Sequence, residues 1–418
     1  MRQVYICIDL KSFYASVECV ERGLDPMTAK LVVADAERTD KTICLAVSPA
    51  LKALGVKNRC RVFEIPKGLE YIMATPRMAL YIKYSAKIYS VYLRHFSPED
   101  IHVYSIDEVF IDISRYPALR SMSPREFALM LLREIRETTG LVATCGIGSN
   151  LYLAKIALDI ISKHAPDFIG ELDEKSYKEL LWEHKPLTDF WRIGPGITAR
   201  LERLGILTMR DIATAREDIL YKSFGVDAEL LIDHAHGRES TTIADIKAYK
   251  PKSSSITSGQ VLTRDYEFDE GLIIVREMAE ALGFELFARG DVSDSISLSL
   301  GYSQSSGLPS IQGSMRLELP TCSISELIFA AESIYKRIMR PELPIRRLTL
   351  CYANLHREQG QQYNIFTSQA EQERERRLQT AMLAVKQKYG SGSLLRCMDL
   401  QDAATARERC RQIGGHRA

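Results

Sequence analysis

The sequence predicts an α+β chain of several domains, and three observations carry that prediction. Apolar strand-like runs and spaced helical faces mix over the first 164 residues. Short helices and glycine turns follow to about residue 242. Beyond a polar basic stretch, four alternating strands and two helices read in the order β-α-β-β-α-β. A chain of 418 residues exceeds one ordinary domain and suits two to four. With 46% hydrophobic and 26% charged residues, the composition is globular.

Residues 3–9 read as a buried strand. The run is too short for a signal peptide and ends in a carboxylate, Asp9. A helical pattern covers 11–22, and 31–34 and 43–47 are short strands. Residues 76–96 form a helix with Leu80, Ile88 and Val91 on its apolar face. Residues 101–113 read as a hairpin, two apolar strands around a tight Asp107-Glu108 turn. A helix over 124–138 has proline in its first turn, 142–146 is a strand, and 150–163 is a helix carrying Lys155. Together these make a sheet with helices on a face.

Between 165 and 242 lies a helix, a Gly-x-Gly hairpin at 193–196 and a second helix. Residues 243–254, with Lys247, Lys250 and Lys252, form a linker. The following unit has strands near 256–265, 293–302, 311–319 and 344–353, with helices near 270–289 and 323–339. Ile296, Leu298 and Leu300 alternate with serines, Met315, Leu317 and Leu319 with Ser314, Arg316 and Glu318, and Leu348 and Leu350 with Arg347 and Thr349. One face is therefore apolar and covered by the helices, and the other is polar and free for a partner. Past 355 the chain is polar and expected to be loosely ordered, with a charged helix over 371–389.

No run of 18 apolar residues exists, which argues against a membrane span. Nine scattered cysteines contain no C-x-x-C pair, so zinc and redox motifs are not indicated and reduced cytoplasmic thiols are expected. A net charge of +1 means that any nucleic-acid surface must arise by segregating the basic residues.

Asp9 ends one apolar strand, and Asp107 with Glu108 sits between two more. Carboxylates at the edge of a buried sheet are costly without a cation. Three that converge would suit divalent metal, and two such ions can activate a hydroxyl and neutralise a leaving pyrophosphate. On spacing alone an exposed turn and a strand-end cap explain the same residues, and position by itself does not decide for metal.

At these positions the chain resembles the Y-family DNA polymerases, in particular their UmuC-like (ImpB/MucB/SamB) branch. The matching segments are Ile8-Asp9-Leu10-Lys11-Ser12-Phe13-Tyr14-Ala15-Ser16-Val17-Glu18, Tyr104-Ser105-Ile106-Asp107-Glu108-Val109-Phe110 and Gly146-Ile147-Gly148-Ser149-Asn150-Leu151-Tyr152-Leu153-Ala154-Lys155. Three motifs in order over most of the chain make the likeness specific.

The resemblance implies a right-hand polymerase: palm at 1–11 and 77–164, small fingers at 12–76, and a helical thumb with a helix-hairpin-helix at 165–242. A linker at 243–254, a β-α-β-β-α-β little finger at 255–354 and a tail at 355–418 follow. It implies that Asp9, Asp107, Glu108 and the Leu10 carbonyl hold two Mg²⁺ ions, with Mn²⁺ as a substitute. Phe13 would pack beside the incoming sugar, Tyr14 would act as the steric gate against a 2′-hydroxyl, and Lys52 and Lys155 would face the triphosphate. Pro49 stands where several relatives carry a tyrosine, which bears on the fingers-side phosphate contacts. Ile193, Gly194 and Gly196 would meet DNA phosphates. Arg316, Lys336, Arg337, Arg346 and Arg347 would form the basic side of the little finger, although acidic residues outnumber basic ones across that unit.

Gln362, Ile365 and Phe366 resemble the short peptide by which bacterial polymerases dock on the sliding clamp. The implied function is error-prone synthesis opposite damaged template in the bacterial cytoplasm, at the nucleoid. Its partners would be primer-template DNA, dNTPs, the clamp and an accessory subunit. Two rivals are a palm-type nucleotide cyclase, which needs neither the glycine hairpin nor the second sheet, and a catalytically weak DNA-binding accessory protein.

Overall fold

The computed structural model describes residues 3–35, 37, 39–116, 121–359 and 369–418. They fall into two compact units, Met1–Tyr249 and Lys250–Ala418.

In the first unit the elements run β1 (Tyr5–Leu10), α1 (Phe13–Glu21), β2 (Leu31–Val33), β3 (Ala46–Val47), α2 (Pro49–Ala53), β4 (Ile72–Ala74) and α3 (Met78–Tyr92). They continue with β5 (Ile101–Val103), β6 (Glu108–Asp112), α4 (Pro124–Thr139), β7 (Ala143–Gly148), α5 (Leu151–Ile156) and β8 (Ile169–Leu172). The main sheet has the order β5-β6-β1-β7-β8. β1 is central and nearly all buried, which is why it reads as a continuous apolar run. A small sheet, β3-β2-β4, stands apart from it.

Sequence periodicity missed β4 and β8, each too short for alternation to register. The strand expected over 43–47 shortens to Ala46–Val47, with an isolated bridge between Ile43 and Arg61. The helix expected over 150–163 is α5 followed by a π turn at Ala157–Ile161. α5 lies on the sheet at backbone contact: a Cβ at Gly146 would sit 2.1 Å from the Ala154 carbonyl oxygen, and one at Gly148 2.2 Å from the Ala154 nitrogen. Glycine here sets how close Lys155 comes to the sheet.

Behind α1, Glu18 is wholly buried. Its carboxylate accepts from Arg77 at 2.8 and 2.9 Å, from the Tyr81 hydroxyl at 2.9 Å, and from Arg22. Burial pushes its pKa up, but the bonds from Arg77, Arg22 and Tyr81 win and hold it below the usual value. Glu18→Ala removes the one acceptor these donors share, and we expect a loss of about 3 kcal/mol, read as a lower urea midpoint. Because the folded pKa is depressed, the wild-type contribution is full above about pH 4.3 and fades as the pH falls below it. The variant should lack that acid-side dependence.

The remainder of the unit is helical: α6 (Glu174–Leu181), α7 (Pro195–Arg203), α8 (Met209–Thr214), α9 (Glu217–Phe224), α10 (Asp227–Ala235) and α11 (Ile243–Ala248). The helix expected ahead of the glycine hairpin is only a 3-10 turn, Leu187–Asp189. α11 occupies part of the expected linker and buries Ile243 beside Tyr5 and Phe110, so the first unit continues to Tyr249.

The second unit contains β9 (Ser255–Tyr266), α12 (Phe268–Arg289), β10 (Asp291–Tyr302), β11 (Ile311–Thr321), α13 (Ile324–Ile338), β12 (Ile345–Ala353) and β13 (His356–Arg357). Its sheet has the order β11-β10-β12-β9, and Ile296, Leu298, Leu300, Leu348 and Leu350 are buried against the helices. Leu319 departs from the expected pattern and is exposed near the end of the edge strand β11.

The tail is not loosely ordered where it is described. α14 (Gln369–Tyr389), α15 (Ala406–Arg409) and a hairpin of β14 (Gln412–Ile413) with β15 (His416–Arg417) belong to this unit. Glu277 and Glu280 on α12 are buried, and the tail satisfies them. Glu277 accepts from the Thr405 and Ala406 N–H groups at 3.0–3.2 Å and from the Thr405 hydroxyl at 3.0 Å; Glu280 pairs with Arg396. These contacts are polar, so hydrophobic patterning gave no sign of them.

Candidate active site

Asp9 lies near the end of β1, directly opposite Glu108 on β6 and Thr144 on β7. Opposed residues of an antiparallel pair project to the same face, so Asp9, Glu108, Cys7 and Phe110 share one side of the sheet. The Leu10 N–H donates to the Asp107 carbonyl at 3.1 Å, tying the strand end to the turn. Ser105 organises that turn. Its hydroxyl donates to the Asp107 carboxylate at 2.6 Å and accepts from the Asp107 and Glu108 N–H groups at 3.3 and 3.1 Å. The turn is longer than expected, because β5 ends at Val103 and Glu108 is already the first residue of β6.

The electrostatics are those of crowded acids. Burial, then Asp107, then Glu108 push Asp9 up to about 7. Glu108 is also raised by burial, against the pull of Lys155 and Cys7. The Lys155 ammonium is 2.8 Å from the Glu108 carboxylate and 3.2 Å from Asp159, and the Cys7 thiol is 3.3 Å from Glu108. Burial opposes the charge on Lys155, but Asp159, Cys7 and Glu108 outweigh it and raise its pKa.

Among the described residues no three His, Cys, Asp or Glu side chains draw together as a metal cage. Glu108 is turned onto Lys155 and Asp107 onto Ser105. The donors nevertheless suit a hard divalent cation: they are carboxylate oxygens, and the burial and repulsion that raise Asp9 are what a bound cation would offset.

The aromatic pair stands beside this group. Ser12 adopts a left-handed backbone (φ 49°), and α1 then begins at once with Phe13 and Tyr14. Phe13 is buried, whereas Tyr14 is half-buried, stacked on Tyr81 with ring centroids 4.4 Å apart and planes 16° from parallel. Burial and then Asp107 raise the Tyr14 pKa, so the phenol lies within the field of the acidic turn.

Lys52 donates to the Ser12 hydroxyl at 2.9 Å. Burial lowers its pKa, Asp9 opposes that, and Lys11 and Lys163 add to the lowering. Lys11 also sits over the Phe168 ring at 4.2 Å. A basic group of Lys11, Lys52 and Lys163 therefore accompanies Asp9. Sequence reading singled out Lys52 alone, although Lys11 lies inside the first motif and Lys163 follows Lys155 by eight residues. Lys155 itself is engaged by the carboxylates and lies under them. Pro49 occupies the first position of α2, the helix that presents Lys52; its fixed φ suits a helix start.

Away from the carboxylates, Ile193 is buried and Gly194 caps α7. A Cβ at Gly194 or Gly196 would meet nothing within 4 Å, so both face open space. In the second unit Arg316 and Arg347 are exposed opposite Ser295 and Gly301 on the polar face of the sheet. The remaining basic residues are otherwise engaged. Lys336 pairs with Glu332 at 3.0 Å, Arg346 with Asp265 at 3.3 Å, and Arg337 donates to the Ser314 carbonyl at 2.7 Å. Lys336 and Arg337 rise from α13, which covers the opposite face, so the five do not form one surface. Gln362, Ile365 and Phe366 lie outside the described residues.

Comparison with known proteins places the chain among relatives at the level of family and fold. Residues 8–159 match the impB/mucB/samB family, and residues 253–365 match the impB/mucB/samB family C-terminal domain. UvrX of Bacillus subtilis, a protein named for UV-damage repair, is 31% identical over 100% of this chain and 98% of its own length. The protein called DNA polymerase IV 2 in Bacillus subtilis is 29% identical, covering 99% of this chain and 98% of itself. Its namesake in Halalkalibacterium halodurans is 28% identical over the whole of both chains. Among solved structures, a Y-family DNA polymerase chimera superimposes with a TM-score of 0.68 at 20% identity, over 85% of this chain and 100% of its own.

Proposed function

The chain belongs to the impB/mucB/samB family, and from that premise we propose that it is a DNA-directed DNA polymerase of the translesion kind, extending a primer 3′ end opposite damaged template. The observation that carries this reading is the register of Asp9 against Glu108 with Asp107 bonded to the next backbone step, which brings Asp9 to an acidic pair far from it in sequence.

In this reading Asp9, Asp107, Glu108 and the Leu10 carbonyl would hold two Mg²⁺ ions, for which Mn²⁺ could substitute. Such ions supply activation of the 3′-hydroxyl and neutralisation of the leaving pyrophosphate. The protein's own groups do the rest. Phe13 and Tyr14 bound the sugar site, with Tyr14 held rigid by its stack on Tyr81. Lys52, Lys11 and Lys163 receive the triphosphate as point charges. Lys155 opposes the effect of burial on Glu108 and holds its carboxylate in place. The palm comprises 1–11 and 77–164, the fingers 12–76 and the thumb 165–249, the last extended by α11. The little finger begins at 255, and the tail forms part of it.

DNA is held without regard to sequence, by N–H groups of the Gly194 hairpin and by Arg316 and Arg347 on the polar sheet face. Affinity should therefore fall steeply with salt, by about 0.9 log units per log unit of salt for each phosphate contacted. Arg316→Ala and Arg347→Ala should each reduce that slope by about one contact in a fluorescence-anisotropy titration; an unchanged slope removes the face from the interface. The clamp peptide at 362–366 and an accessory subunit extend the proposal. No helix among the described residues is long and apolar enough to cross a membrane. The direct test is primer extension by purified protein with Mg²⁺ on an intact and an abasic template. Bypass on the second is expected, and a complete stall there argues against the translesion reading.

A further inference from the structure

The turn carrying Asp107 and Glu108 is tied to the glycine hairpin by aromatic side chains. Trp191 stands three residues before Gly194, and its indole N–H donates to the Tyr104 hydroxyl at 3.1 Å. The two rings meet edge-on, with centroids 6.0 Å apart and planes at 78°. Trp191 also lies against Phe110, 6.0 Å between centroids. Tyr104 opens the acidic turn: its N–H and that of Ser105 both donate to the Glu108 carbonyl, at 3.0 and 3.1 Å. Phe110 is two residues beyond Glu108, opposite Cys7, whose thiol bonds the Glu108 carboxylate. On its other side Trp191 is parallel to His234 (6.3 Å, 16°), which stacks on Tyr152 of α5 (3.9 Å, 19°). The Arg192 guanidinium caps the indole at 5.0 Å, from a left-handed backbone with φ 69°.

Ordinary core packing does not account for the Trp191–Tyr104 bond. Tyr104 is 46% exposed, so its hydroxyl could be satisfied by water, and fixing it costs side-chain entropy. The turn is also held at Ile106, whose carbonyl accepts from the Ser85 hydroxyl of α3 at 2.6 Å, and at Asp107, whose carbonyl accepts from the Leu10 N–H; the Trp191 bond adds a restraint at its first residue, from the side of the hairpin. We propose that Trp191 is a positioning residue: through Tyr104 it holds the main chain at Glu108 in place, linking the phosphate-binding hairpin to the acidic turn. This rests on the polymerase reading above.

The test uses the full chain with Trp191→Phe, Tyr104→Phe and the double variant. Trp191→Phe keeps an aromatic ring and loses the donor; Tyr104→Phe loses only an exposed hydroxyl and should leave the melting temperature within a few degrees. In single-turnover extension each single variant should lower the maximal rate about 5- to 20-fold, with DNA affinity within about twofold. The double variant should be no slower than the slower single, because both remove the same bond. Unchanged rates in the singles, or multiplicative loss in the double, overturns the proposal.

A second readout does not depend on catalysis. The chain has two tryptophans, so Trp182→Phe leaves Trp191 as the sole indole. Its emission should shift when primer-template DNA is added, and Tyr104→Phe should reduce that shift. An emission indifferent to DNA overturns the link. A wild-type chain that never extends a primer sinks the polymerase reading instead, and the emission arm still decides whether hairpin and turn are tied.

Discussion

Asp107→Ala should abolish primer extension, lowering the single-turnover rate by about 1000-fold or more while DNA binding stays within a fewfold of wild type. The acids lie within one another's field: burial, and then Asp107 and Glu108, raise Asp9 to about 7. Two unit charges at close range in a partly buried site interact by about 4 kcal/mol at an effective dielectric constant near 20. Removing Asp107 takes a ligand from the cation site and a charge from its field together, and several kcal/mol in the transition state is about three decades in rate. Glu108→Ala should be as severe for a second reason: it also leaves the Lys155 ammonium without its nearest carboxylate, 2.8 Å away. Gel-resolved extension paired with an anisotropy measurement of DNA affinity checks both. An Asp107→Ala protein that extends at the wild-type rate removes the acids from the chemistry.

Tyr14→Ala should admit ribonucleotides. The ring is half-buried and clamped in a near-parallel stack on Tyr81, which is itself fully buried and bonded to Glu18. It therefore cannot swing aside to accommodate a 2′-hydroxyl. Forcing extra atoms into such a packed site costs about 1–3 kcal/mol, and discrimination between dNTP and rNTP should fall by about 5- to 150-fold on removing the ring. The informative quantity is the ratio of kcat/KM for dCTP and CTP opposite the same template base. A general defect lowers both values and leaves the ratio alone, whereas loss of the gate moves the ratio. An unmoved ratio would place Tyr14 in the core and not at the sugar.

Much of this was legible in the sequence because it rests on local pattern. The apolar run ending in Asp9 had to be a buried strand, and the alternation of Leu298 and Leu300 with serines had to give a two-faced sheet. Glu18 as a shared acceptor and the contact of the tail with Glu277 are long-range arrangements of polar groups. They leave no period to read. The same holds for the lysines. Sequence reading placed both Lys155 and Lys163 within the expected 150–163 helix and singled out Lys155, but the helical segment ends at Ile161; the close approach allowed by Gly146 and Gly148 sets Lys155 against Glu108, while Lys163, in the turn that follows, joins Lys11 and Lys52.

By itself the sequence determined the family motifs, the strands that carry the acids and the two-faced second sheet, because side-chain periodicity and backbone preference act over a few residues. Only the tertiary structure decided which cation meets which carboxylate, that the basic residues of the second unit split between two faces, and that an indole reaches the acidic turn. Those are distances between groups that become neighbours only when the chain closes on itself, and charge or hydrogen-bonding energy depends on distance and burial rather than on order along the chain.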